Sequence, residues 1–70
     1  MSEKEFYKLK VGDEVKSSKV GMKYHAVNLK GVITETSNFL GGHTMMDSNT
    51  KKFAYMTVPS SWDLVKKGKY

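Results

Sequence analysis

Residues 52–65 constrain this chain more than any other stretch. An apolar-bearing run from Lys52 to Val58 meets Pro59-Ser60-Ser61, and Trp62-Asp63-Leu64-Val65 follows. Side chains of a strand alternate between its two faces, so Phe53, Tyr55 and Thr57 share one side and Ala54, Met56 and Val58 the other. Both sides carry apolar groups. One therefore belongs to a core, and the other is a candidate surface aromatic patch. Pro59 has no N–H to give a ladder and ends the strand. Ser60-Ser61-Trp62 fits a single 3₁₀ turn, and Leu64-Val65 closes the sheet. Taken with Val11-Gly12-Asp13-Glu14-Val15 near the start, the pattern predicts a small all-β fold: five antiparallel strands closed into a barrel, with a 3₁₀ turn before the last.

The rest of the chain supplies the other strands. Residues 1–8 set Glu3, Lys4, Glu5 and Lys8 around Phe6 and Tyr7. They read as a helical turn or a frayed lead-in whose ring packs back on the barrel. Leu9, Val11 and Val15 share strand parity, and Gly12-Asp13 marks a bend or bulge. Residues 16–26 are small, polar and basic around Gly21, and read as a long excursion between strands, where binding residues tend to lie. Residues 27–36 are rich in β-branched side chains and predict the central strand. Residues 37–42, with paired glycines, are a turn. His43 to Asp47 is a short strand, residues 47–50 a polar hairpin tip, and Lys51 to Val58 the next strand. Residues 66–70 form a basic tail, mobile at its end. The core is expected to draw on Val11, Val15, Val32 or Ile33, Met46, Phe53 or Tyr55, Val58, Trp62 and Leu64.

Composition narrows the function. Seventy residues make one domain, 1–70, with a marginal core. There is no cysteine to staple the fold, bind metal or act as a nucleophile. No apolar run is long enough for a membrane span or a signal peptide, so a cytoplasmic protein with no membrane partner is expected. The net charge is +5, and every cation is lysine. Lysine is a mobile point charge, whereas arginine forks onto guanine edges and phosphates. A lysine-only protein that binds nucleic acid should read backbone rather than sequence. The same composition also serves solubility, a reading of equal weight.

Val58-Pro59-Ser60-Ser61-Trp62 followed by Val65 resembles the end of Src-homology-3 domains, where a hydrophobic-Pro-Ser segment makes the 3₁₀ turn before the last strand. Val11-Gly12-Asp13-Glu14-Val15 and Lys30-Gly31-Val32-Ile33 resemble the first two strands of bacterial and phage SH3-like barrels of the KOW type. These stretches span about half the chain in the right order. The acidic loop and paired tryptophans that grip Pro-rich peptides are missing. The long loop is basic instead, with Lys16, Lys19 and Lys23. The resemblance implies an SH3-like barrel that binds nucleic acid, ribosomes or transcription machinery, which is an analogy of fold.

The residues themselves argue against catalysis. His25 and His43 have no metal-ligand spacing. Asp13 and Glu14 are adjacent and would face opposite sides of a strand. The chain reads as no enzyme, with no cofactor and no metal. Lys23-Tyr24-His25 is the best local binding element, joining a cation, a stackable ring and a titratable ring. With Lys19, Lys30, Lys51, Lys52 and Tyr55 it forms the candidate nucleic-acid site, for DNA or RNA. The alternative is that Phe53 or Tyr55 is core and the lysines are solvated decoration. Trp62 is expected at the core edge. The leading reading is a monomeric, electrostatic nucleic-acid-binding module of low sequence specificity. The alternative is a phage- or prophage-type protein-interaction module that docks on a host protein through a sheet edge, and a third is a self-associating structural subunit.

Overall fold

A computed structural model describes residues 1–25 and 28–70, with the side chains of all of these except residues 24 and 25. The elements are α1 (Glu3–Phe6), β1 (Glu14–Ser17), α2 (Lys19–His25), β2 (Lys30–Thr36), β3 (His43–Asp47), β4 (Phe53–Met56), a 3₁₀ turn (Pro59–Ser61) and β5 (Trp62–Lys66). The five strands form one antiparallel sheet in the order β4-β3-β2-β1-β5. The 3₁₀ turn stands before the last strand, where Pro59 leads it.

The predicted closure is not found. β4 and β5 are the two edges, and among the described residues they do not pair, so the sheet stays open. What fills the concave side instead is the lead-in. Ser2 and Glu5 cap α1 reciprocally: the Glu5 N–H donates to Ser2 Oγ at 3.2 Å and the Ser2 N–H to Glu5 Oε1 at 3.4 Å. The short helix then drives Phe6 fully into the core, followed by Leu9. Phe6 packs on His43 with ring centroids 4.6 Å apart, and the His43 ring bonds the Phe6 carbonyl through Nε2 at 2.8 Å. A carbonyl only accepts, so Nε2 carries the hydrogen. His43 Nδ1 is buried with no partner among the described residues.

The core is Phe6, Leu9, Val15, Ile33, Met45, Met56 and Trp62. Val15, Ile33 and Trp62 stand where the sequence puts them. The other predicted members do not. Val11, Val58 and Leu64 are exposed, Met46 is half-buried, and both Phe53 and Tyr55 face solvent. One register explains the last three. Met46 pairs with Val32 and Phe53, whereas Met45 pairs with Ile33 and Ala54. Facing residues of adjacent strands share a side, so Met45 goes in with Ile33, and Met46 goes out with Phe53. Val11 is displaced because residues 10–13 turn rather than extend: the Asp13 N–H donates to the Lys10 carbonyl, and Gly12 has φ +101°.

The segment read as a long loop is also different. β1 runs on to Ser17, and α2 follows. Ser18 starts the helix, accepting from the Gly21 N–H at 3.1 Å through Oγ. Ser18 also ties α2 to the 3₁₀ turn, donating from N–H to the Ser61 carbonyl at 2.9 Å and from Oγ to the Ser60 carbonyl at 2.6 Å. Gly21 faces that turn. A Cβ there would lie 3.1 Å from the Ser61 carbonyl carbon and closer still to its oxygen. The glycine that suggests a loop is thus present for close packing. The central strand starts at Lys30 rather than 27; residues 26 and 27 lie outside the described residues. β4 is shorter than predicted, limited to Phe53–Met56.

The tail is tied at Gly68, whose N–H donates to Asp13 Oδ1 at 2.8 Å. Lys10 Nζ sits 4.8 Å from the centre of the Tyr70 ring. Among the described residues, no helix is long and apolar enough to cross a membrane.

Candidate nucleic-acid interface

The lysines are not spread evenly over this fold. β1 ends, β2 begins, β3 ends and β4 begins at one end of the sheet. Lys16 and Lys30 are register partners there. The turn between β3 and β4 closes against them, with the Ser48 N–H donating to the Lys30 carbonyl at 2.9 Å. That turn carries Lys51 and Lys52. α2 leaves the end of β1 and carries Lys19 and Lys23, both exposed. Six of the twelve lysines (Lys16, Lys19, Lys23, Lys30, Lys51 and Lys52) thus stand at this end, with Asp47 and with Asp63, the β5 partner of Lys16, while Glu14 and Glu35 lie farther along β1 and β2. The other six lysines stand with five acids: Glu3, Glu5, Asp13, Glu14 and Glu35. The excess of positive charge is therefore concentrated at this end.

Asp47 is committed to the turn. Its Oδ2 accepts from the Thr50 hydroxyl at 2.9 Å and the Thr50 N–H at 3.1 Å. The Thr50 hydroxyl, then its N–H, hold the Asp47 carboxyl below the usual aspartate value against the opposing effect of burial; the N–H groups of Lys30 and Asn49 add to this. Lys51, closing the turn, has φ +60°. That left-handed conformation costs a non-glycine residue roughly 1 kcal/mol. Local propensity favours Gly or Asn at such a φ.

Tyr55 and Phe53 extend the site onto the outer face of the sheet. Phe53 is 66% exposed and Tyr55 54%. Phe39, 79% exposed, meets the Tyr55 ring edge to face at 5.3 Å. Asn38 fixes the loop that holds it: its Oδ1 accepts from the Leu40 and Gly42 N–H groups, both at 3.0 Å, and its Nδ2 donates to Thr44 Oγ1 at 3.3 Å. Phe39, Phe53 and Tyr55 line a shallow cleft of about 430 Å³ with Thr34, Glu35 and Thr44.

Of the predicted site residues, the fold gathers Lys30, Lys51 and Lys52 around one end of the sheet. Lys19 and Lys23 lie on the adjoining helix rather than in a loop. Tyr55 is on the outer face, with Phe53 between it and the lysines. The side chains of Tyr24 and His25 lie outside the described residues. Sequence reasoning missed Phe39 and left Lys16 out of the site. Lys16 was read as the start of a loop, and only its pairing with Lys30 places it here; Phe39 gave no signal, because its position depends on the Asn38 loop.

A second cleft, about 650 Å³, lies between the lead-in and the tail. Its lining mixes Glu5 and Asp13 with Lys8, Lys10 and Lys67. Asp13 is buried and used structurally. Burial opposes its charge, but the N–H groups of Gly68 and Lys10, the Tyr70 hydroxyl and the Lys67 ammonium outweigh this and hold the carboxyl below its usual value. Burial and then the Asp13 carboxylate push the Tyr70 hydroxyl up. Among the described residues, no three His, Cys, Asp or Glu side chains stand where they would hold a metal ion.

Comparison of the chain with protein-family models, with curated proteins and with solved structures finds no match.

Proposed function

We propose that this protein is a non-enzymatic, cytoplasmic and monomeric module that binds nucleic acid electrostatically, with low sequence specificity. The observation that carries the reading is the concentration of Lys16, Lys19, Lys23, Lys30, Lys51 and Lys52 around one end of the sheet. One of the two acids there, Asp47, is bound up in its own turn. Flexible ammonium groups with no guanidinium among them suit phosphates and not base edges. The fold reading that accompanies it is an SH3-like strand arrangement left open between β4 and β5. It is supported by the last strand returning to pair with β1 and by the 3₁₀ turn ahead of it.

The test is the salt dependence of affinity for a fluorescein-labelled oligonucleotide. If about four phosphates are engaged, affinity should fall about a hundredfold between 50 and 200 mM salt. The double variant Lys23→Glu/Lys30→Glu should remain folded and lose binding. Wild-type affinity in that variant, or affinity independent of salt, refutes the reading.

A second reading is favoured by the open sheet. β4 pairs only with β3 among the described residues, so its outer edge is free to accept a strand from a protein partner. Such pairing would survive salt that removes a phosphate ligand.

A further inference from the structure

We infer that the ligand is single-stranded, and that the outer face of β2–β4 is the platform on which its bases stack. The inference rests on the nucleic-acid reading above and adds to it the strandedness and the residues. Three aromatic rings, those of Phe39, Phe53 and Tyr55, face solvent on this side of the sheet among the described residues. Phe53 and Tyr55 stand two residues apart on β4, about 7 Å along the strand. Phe39 leans on Tyr55 edge to face, its loop held by Asn38. In a fold of this size, three large rings left outside on one face while the core is completed with Met45 and Met56 call for an occupant.

Charge identifies that occupant. Phe53 aligns across the sheet with Met46 and Val32, and the next outward residue along β2 is Lys30, paired with Lys16. From strand spacing, Lys30 stands about 12 Å from Phe53, within reach of the phosphate of a base lying on that ring. At the other end of the face, Glu35 lines the cleft with Phe39 and Tyr55. Its carboxylate turns a phosphate away, so the backbone is directed toward the lysines and the bases toward the rings. A duplex keeps its base faces inside its own stack and offers them to no ring. An unpaired strand offers a π face at every nucleotide. Aromatic rings beside a one-sided lysine cluster therefore complement a single strand better than a duplex or an acidic protein.

The experiment is fluorescence anisotropy with labelled dT10, rU10 and a ten-base-pair DNA duplex at one salt concentration. Wild type is compared with Phe39→Ala, Phe53→Ala and Tyr55→Ala, each checked for folding by circular dichroism. Phe53→Leu keeps apolar bulk and removes only the ring. The single strands should bind at least about tenfold tighter than the duplex. Each alanine variant should lose about five- to hundredfold for the single strands. The slope of affinity against salt should not change, because that slope counts phosphates. Equal binding of duplex and single strand, with the ring variants unaffected, overturns this inference and leaves the electrostatic reading standing. No binding of any of the three probes at low salt overturns both.

Discussion

Replacing Gly21 with alanine sets two physical effects of opposite sign against each other. In a helix open to solvent, Gly→Ala stabilises by about 0.5–1 kcal/mol, because alanine loses less backbone entropy on folding. Here the new methyl would meet the Ser61 backbone, 3.1 Å from its carbonyl carbon and 3.3 Å from its Cα. Both are backbone atoms of a turn that cannot swing away as a side chain would. Overpacking of this kind costs about 1–3 kcal/mol. Moving α2 off the turn also strains the Ser18 bonds to Ser61 and Ser60, each worth about 0.5–1.5 kcal/mol. The net expectation is a loss of about 1–3 kcal/mol. A 70-residue domain has roughly 4–10 kcal/mol in total, so the effect is large. At about 4–8 °C per kcal/mol, the melting temperature should fall by about 5–20 °C. Urea unfolding followed by the fluorescence of Trp62, the only tryptophan and a core member, measures it directly. A variant as stable as wild type, or more stable, would show that α2 does not pack on the 3₁₀ turn, and the placement of Lys19 and Lys23 would fall with it.

Other expectations follow from the same geometry. Asn38→Ala leaves the buried Gly42 N–H and the Leu40 N–H without their acceptor, and should cost about 2–4 kcal/mol in denaturant unfolding; a loss under 0.5 kcal/mol contradicts that role. Lys51→Gly relieves a positive φ, so stability should hold or rise by up to about 1 kcal/mol while oligonucleotide affinity falls; a marked loss of stability contradicts it. Asp13 and Asp47 both have carboxyl groups held below the ordinary value of 3.8. The unfolded chain therefore takes up protons first on acidification. Their contribution is complete above about pH 5 and lost as pH falls through the folded values. A pH titration of stability should decline in that acid window, and Asp13→Asn should reduce the decline; a transition already complete at pH 5 refutes this.

The turns were legible from the sequence because they depend on local chemistry, whereas the open edge between β4 and β5 was not. Pro59 cannot extend a ladder, and Asp47 to Thr50 is a polar tip that closes on its own carboxylate. The faces were harder to read. Met45 and Met46 are adjacent and equally apolar, and only pairing with Ile33 or Val32 decides which goes in. Phe53 and Tyr55 read as core candidates because large rings usually are. They are outside because the lead-in supplies its own ring: Phe6 fills the concave side. Gly21 misled in a different way. A glycine in a polar run suggests a loop, and its use against Ser61 is a contact between residues forty positions apart. For the site, the lysines were visible one by one, but their concentration at one end depends on register and on α2. Phe39 was beyond reach, since nothing in residues 37–42 says that Asn38 aims it at Tyr55.

The central claim is that the lysine-rich end of the sheet and the face beside it receive nucleic acid. A two-dimensional amide NMR titration of the labelled protein with single- and double-stranded DNA and RNA, at low and moderate salt, tests it most directly. Shifts gathered on Lys16 to Lys23, Lys30 and residues 51–55, fading as salt rises, are the predicted result. A spectrum unmoved by every nucleic acid at low salt, or shifts confined to the Lys8, Lys10 and Lys67 cleft, would contradict it.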